Sequence, residues 1–242
     1  MLILASDTSG PSVSVALWQD GQLLGEITQN VGLTHSVTYL PLIENLILGC
    51  SRHMAEIDLF AVTVGPGSFT GIRIGISAVK AMAYAAKKPA YGVSTLEAMA
   101  WPYRSCPDLL VCPMLDARNG RVFAGAWRDG DCVLAEENQL MTDFLAKAVA
   151  AAGLDPDRDP GCSARVAILT LGCTVPEPVR QVLPSLPVHT VAPLSSWLPS
   201  AAVVAEMAAC AVDQGAPMDP QLLQAHYLSV SAAERLKKQT HV

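Results

Sequence analysis

Residues 7–21, DTSGPSVSVALWQDG, and residues 116–130, DARNGRVFAGAWRDG, align without a gap at a shift of 109 and share Asp7/Asp116, Val13/Val122, Trp18/Trp127, Asp20/Asp129 and Gly21/Gly130. Each stretch reads as a strand end bearing an aspartate, a polar turn, a strand closing on tryptophan, and an Asp-Gly dipeptide of the kind that tightens hairpins. The repeated order of elements, more than the identities, marks a duplicated lobe.

Outward from the first copy, the pattern predicts strands over 2–6, 12–19 and 22–28, a helix over 36–50, a strand over 59–64, a helix over 71–87 and a strand over 90–93. Outward from the second, it predicts a helix over 142–152, a strand over 166–171, a short helix over 176–183 and a helix over 199–213, with an exposed Pro-, Gly- and Asp-rich loop over 153–164. Three meandering strands followed by helix, strand, helix and strand make a mixed α/β sheet with helices on its faces. Two in tandem describe the duplicated architecture of actin, sugar kinases and Hsp70. The expected division is 1–104 for the first lobe, 105–213 for a smaller second lobe, and 214–242 for a segment returning to the first.

The stretch VGPGSFTGIRIGISAVKAMAYA, residues 64–85, poses a chemical choice. Its glycines and the helix N-terminus that follows have the makings of an anion cradle. The P-loop and dinucleotide spacings are both missing, since Ile72 and Arg73 follow Gly71. In the helix, Ile72, Ile76, Val79, Ala83 and Ala86 recur at sheet-facing positions, and Arg73, Ser77, Lys80 and Tyr84 form a polar edge. A second stripe of small residues, Gly71, Gly75, Ala78, Met82 and Ala85, suits close approach by another helix, from this chain or from a partner. The preceding helix also carries two apolar stripes, Leu40/Ile43/Ile47 and Tyr39/Leu42/Leu46, with Pro41 expected to kink its first turn or delay its start. Two neighbouring helices with surplus apolar faces make a docking surface.

Composition narrows the function classes. The 242 residues hold 16 Lys+Arg against 22 Asp+Glu, a net charge of −6, so no global field attracts nucleic acid or an anionic membrane. A hydrophobic fraction of 51% with 16% charged residues points to apolar surface covered by a partner. No apolar run reaches membrane-spanning length and no leader pattern opens the chain, so a cytoplasmic address is expected. Seven cysteines without a C-x-x-C spacing read as reduced thiols. The small basic tail at 234–241 reads as solvated.

ASDTSG (5–10), THSVTYLPLIENLIL (34–48), VGPGSFTGIRIGISAVKAMA (64–83) and MLDARNGRVFAGAW (114–127) together resemble the TsaB (YeaZ) group of the bacterial glycoprotease-like family. The likeness resumes weakly at LLQAHYLS (222–229), where Ala225 and Ser229 depart from the family's P-x-Y-L-R. The resemblance implies an actin-like (ASKHA, ribonuclease H-like) fold and a part in forming N6-threonylcarbamoyladenosine at position 37 of tRNA. It further implies a non-catalytic subunit that binds a TsaD-like transferase and a TsaE-like ATPase, pairs with a second copy when TsaD is absent, and meets tRNA only through the complex. The implied contacts lie on the two helices, at Tyr39, Leu42, Leu46, Gly71, Arg73, Gly75, Ala78, Met82 and Ala85.

Catalysis by the chain itself finds less support. Where the transferase carries His-x-x-x-His, this sequence has Thr95 and Met99, which will not replace two imidazoles on a metal. Five scattered histidines show no metal-ligand spacing, His35 at a helix start being the one of interest. Neither H-E-x-x-H nor G-x-S-x-G is present, and Ser68 reads as a capping serine. The alternative is an actin-like ATPase in which Asp7, with Thr8 and Ser9, and Asp116 order a magnesium nucleotide. Against it, only LGC around Gly172 stands where adenine would want a double glycine. No tightly bound cofactor is expected, with ATP or ADP and Mg confined to a partner interface.

Overall fold

The computed structural model describes residues 1–30, 35–107, 109–151, 165–171, 189–191, 198–216 and 218–228. Alternation along β1 (Leu2–Asp7) sets the layers: Leu2 and Leu4 enter one core, while Ile3 and Ala5 enter another on the opposite face. A strand buried on both faces needs helices on both sides. On one side lie α1 (His35–Gly49) and α2 (Phe69–Ala86). On the other lies α5 (Ala201–Asp213), whose Val204, Ala205 and Ala208 pack with Ile3, Ala5, Leu59 and Ala61.

The first sheet has the order β3-β2-β1-β4-β5, built from β2 (Val13–Gln19), β3 (Gln22–Gln29), β4 (Leu59–Gly65) and β5 (Ala90–Ser94) around β1. β1, β2 and β3 pair antiparallel, whereas β1–β4 and β4–β5 are parallel. The second sheet repeats this as β8-β7-β6-β9-β10, with β6 (Leu109–Asp116), β7 (Arg121–Arg128), β8 (Asp131–Leu140), β9 (Arg165–Leu171) and β10 (His189–Val191). The antiparallel and parallel pairings fall in the same places. This is the duplicated actin-like, ribonuclease H-like α/β fold. Both Asp-Gly dipeptides turn their hairpins with φ positive at each residue, 48° and 85° at Asp20-Gly21 and 52° and 89° at Asp129-Gly130.

α4 (Met141–Ala151) follows β8 in the second lobe and buries Phe144. α3 (Thr95–Ala100) joins the lobes: Ser94 caps it by accepting from the Glu97 N–H, and Leu96, Met99 and Ala100 pack with Val111, Leu115, Phe123 and Trp127. Pro41 lies inside α1, on its exposed side, and does not delay the helix, which begins at His35.

One boundary is corrected. The reading of 105–213 as the second lobe included the last helix, but α5 packs on the first sheet and is anchored there. Glu26 of β3 accepts from Ser200 Oγ at 2.8 Å and from the Ala202 N–H at 3.3 Å, and Ser14 Oγ accepts from the Ala201 N–H at 3.1 Å. A carboxylate on unpaired helix donors is favourable at that end. Residues 218–228 then run along the first lobe, with the Ala90 N–H donating to Met218 O and the His226 N–H to Val64 O. The expected loop at 153–164, helix at 176–183, Gly172 and the basic tail at 234–241 lie outside the described residues.

Candidate functional site

α1 is apolar around much of its circumference, and the sheet takes two of its rows at once. Tyr39, Leu42 and Leu46, expected outward, are buried in the chain's own core together with Ile43 and Ile47. Tyr39 is also fixed by a 2.6 Å hydrogen bond between its hydroxyl and Ser6 Oγ, and burial pushes its phenol well above the ordinary range. The exposed residues of α1 are instead Ser36, Val37, Leu40, Pro41, Glu44, Asn45, Leu48 and Gly49. Val37 is 65% exposed, Leu40 56% and Leu48 67%.

On α2 the small-residue stripe divides. Gly71 and Gly75 are buried, Ala78 and Met82 partly covered, and Arg73 and Ala85 exposed. The two glycines admit not a helix but the β1–β2 turn. A Cβ at Gly71 would overlap the Thr8 carbonyl oxygen and one at Gly75 the Thr8 hydroxyl, which donates to Gly71 O at 2.8 Å. The outward row is Arg73, Ser77, Ala81, Tyr84 and Ala85, with Tyr84 85% exposed. Beside its first turn, Phe69 stacks on Tyr227 with ring centroids 4.8 Å apart, and the Arg73 guanidinium lies 5.2 Å from the Phe69 centroid.

The Asp7 turn is closed. Asp7 is fully buried and accepts from Thr63 Oγ1 at 2.6 Å, Ser9 Oγ at 2.8 Å and the Ser9 N–H at 3.3 Å. Burial raises its carboxyl above the ordinary range, and those donors counter the effect in part. Thr8 and Ser9 are buried too. Ser68 caps α2 through the Gly71 N–H, and its own N–H donates to Ser9 O at 2.7 Å, so the glycine loop clasps the aspartate turn. His35 Nε2 lies 2.9 Å from Gly10 O and ties the start of α1 to the same turn. Asp116 is exposed and accepts from the Arg118 N–H at 2.8 Å, which is turn capping.

Thr95 and Met99 both lie within α3 and are buried. Among the described residues no group of three or more His, Cys, Asp or Glu side chains is disposed to hold a metal, and no helix is long and apolar enough to cross a membrane. The five described cysteines are free; burial pushes the Cys112 thiol up to about 12, whereas Cys132 is exposed. Val37, Leu48, Phe69 and Tyr227 escaped sequence reasoning. Glu44 and Pro41, one and two turns before Leu48, were the available marks of the outward side of α1.

The fold and this surface define a duplicated actin-like protein whose first lobe presents apolar residues on two adjacent helices. A model of the family described as TsaD, tRNA N6-adenosine threonylcarbamoyltransferase, matches residues 25–234, and the chain belongs to that family. Its likeness within the family is to TsaB. It is 33% identical over 149 residues to the tRNA threonylcarbamoyladenosine biosynthesis protein TsaB of Bacillus subtilis, covering 60% of this chain and 65% of that one. With TsaB of Escherichia coli it is 37% identical over 124 residues, 51% of this chain and 53% of that one. The matched stretches thus span between about half and two-thirds of these relatives. YeaZ from Pseudomonas aeruginosa has the same fold, with a TM-score of 0.67 at 24% identity over 94% of this chain and 99% of that chain.

Proposed function

We propose that the chain is a non-catalytic scaffold in the formation of N6-threonylcarbamoyladenosine on tRNA, and that it binds a TsaD-like transferase through the outward sides of α1 and α2. The observation that carries this reading is the exposure of Val37, Leu40, Leu48 and Tyr84 on two helices that cover one face of one sheet. Large apolar side chains exposed on neighbouring helices gain by being covered. The names of the curated relatives supply the pathway. Thr95 and Met99, in place of two imidazoles, favour leaving the chemistry to the partner.

In this reading the scaffold binds the competent conformation of the transferase more tightly than others and raises its population. A TsaE-like ATPase joins the pair, a second copy of this chain covers the surface when the transferase is missing, and tRNA is held by the assembly, consistent with the net charge of −6. ATP or ADP with Mg enters at a subunit interface rather than at Asp7, whose oxygens already have donors.

Reconstitution tests the division of labour. With threonylcarbamoyl-adenylate and tRNA, the TsaD-like subunit, the TsaE-like ATPase and this chain together should modify adenosine 37, and leaving out any one should reduce the initial rate at least tenfold, about 1.4 kcal/mol in barrier. Transfer by this chain alone, or undiminished transfer without it, would contradict the proposal.

A further inference from the structure

α2 is a basic element in an acidic chain. Residues 69–88 hold Arg73, Lys80, Lys87 and Lys88 and no Asp or Glu, although the whole chain has 22 Asp+Glu and a net charge of −6. Spacings of seven residues put Arg73 and Lys80 on one row of the helix and let Lys87, its C-cap, continue that row, with Ser77 and Tyr84 between and about 10 Å from each cation to the next. Arg73 and Lys87 are exposed and Lys80 is partly covered.

Of the four cations, Lys88 alone is matched in charge, by Asp58 at 3.2 Å. Among the described residues no carboxylate pairs with Arg73, Lys80 or Lys87, whereas Arg52, Arg104 and Lys147 each have a Glu partner. The Arg73 guanidinium lies over the Phe69 ring, which leaves its charge whole. The neighbouring helix α1 contributes one acidic residue, the exposed Glu44.

We propose that Arg73, Lys80 and Lys87 select the occupant of the α1–α2 face: they fit a protein surface bearing carboxylates and disfavour a second copy of this chain. This selection rests on the docking reading above and adds to it the charge that the transferase surface must carry.

An isologous pair sets the same patch on both copies, so a second copy brings an equal row of cations to a face with little negative charge of its own. Like charges brought together cost affinity, whereas carboxylates on a partner steer the encounter and fix its register. The same face exposes Leu40 and Leu48. Apolar side chains beside cations suit a protein surface, since a phosphate backbone would satisfy the cations and leave the leucines in water. The second copy is thus the weaker occupant, displaced when the transferase is present.

Sedimentation velocity of the full chain, alone and mixed with the TsaD-like subunit, at about 50 mM and about 500 mM NaCl tests the selection. At the lower salt the transferase should bind about tenfold more tightly than a second copy does. The higher salt should weaken the mixed complex about tenfold and leave self-association unchanged or tighter, because screening removes an attraction from the one and a repulsion from the other. Lys80→Gln with Lys87→Gln should weaken the mixed complex about fivefold at the lower salt and reduce its salt dependence by about half. A mixed complex of the same affinity at both salts and in the double variant overturns the selection and leaves the docking surface standing. Failure of the mixed complex to form at either salt contradicts docking itself, and the selection with it. A double variant that binds the transferase as wild type does, while the assembled complex loses tRNA at the lower salt, would assign the row to RNA and overturn the proposal.

Discussion

A carboxyl with both oxygens in use at a buried turn has a structural task, and Asp7 is such a group. Thr63 and Ser9 satisfy it, while burial raises it above the ordinary range. A folded-state value above the unfolded one means that the contribution of Asp7 to stability is fully present below the unfolded value and fades as the pH rises through the folded one. Asp7→Asn should therefore flatten the pH dependence of urea unfolding between about pH 4 and about pH 8, gaining relative to wild type at the alkaline end. A wild-type stability rising with pH across that window, and lost in Asp7→Asn, would reverse the assignment. The sequence showed Asp7 at a strand end but not its partner, because Thr63 arrives from β4, whose pairing with β1 is a fact of topology rather than of spacing.

Among the elements, α2 is where the physical reading of the sequence changes most. Small residues at helical spacing were legible, but what they admit was not, since a strand-end turn and a second helix leave the same imprint on sequence. Gly75→Ala separates the two effects. Propensity alone would stabilise the helix by about 1 kcal/mol, whereas overlap with the Thr8 hydroxyl should make the variant less stable by about 2 kcal/mol. Chemical denaturation of Gly75→Ala, with and without Thr8→Ala, measures the coupling; a stabilised single variant would mean that the turn does not press on the helix. In α1 the element and its boundaries were legible to within a residue, but not its rotation. Apolar residues surround much of the helix, so periodicity gave two candidate faces, and the sheet buried both Tyr39/Leu42/Leu46 and Ile43/Ile47.

For the whole molecule, the repeat at 109 residues was enough to read a second lobe with the same strand, turn and hairpin, whereas β10 (His189–Val191), which completes the second sheet, was not predicted. The crossing of α5 back to the first sheet was not readable. Its anchors, Ser14 and Glu26, precede it by more than 170 residues, and its apolar face would suit either sheet. The meeting of Ser94, Glu136 of β8 and His226 across the two lobes escaped for the same reason, since the three carry no common motif.

The account rests on α1 and α2 being covered by another subunit. Leu40→Glu and Leu48→Glu place charge on side chains already in solvent, so folding should be kept, as far-UV circular dichroism and thermal unfolding would check. Sedimentation velocity of each variant mixed with the TsaD-like subunit is the direct measurement. Wild type should move as a complex, and either variant should weaken association at least a hundredfold, about 2.7 kcal/mol. Complexes of unchanged affinity in both variants would contradict the docking surface.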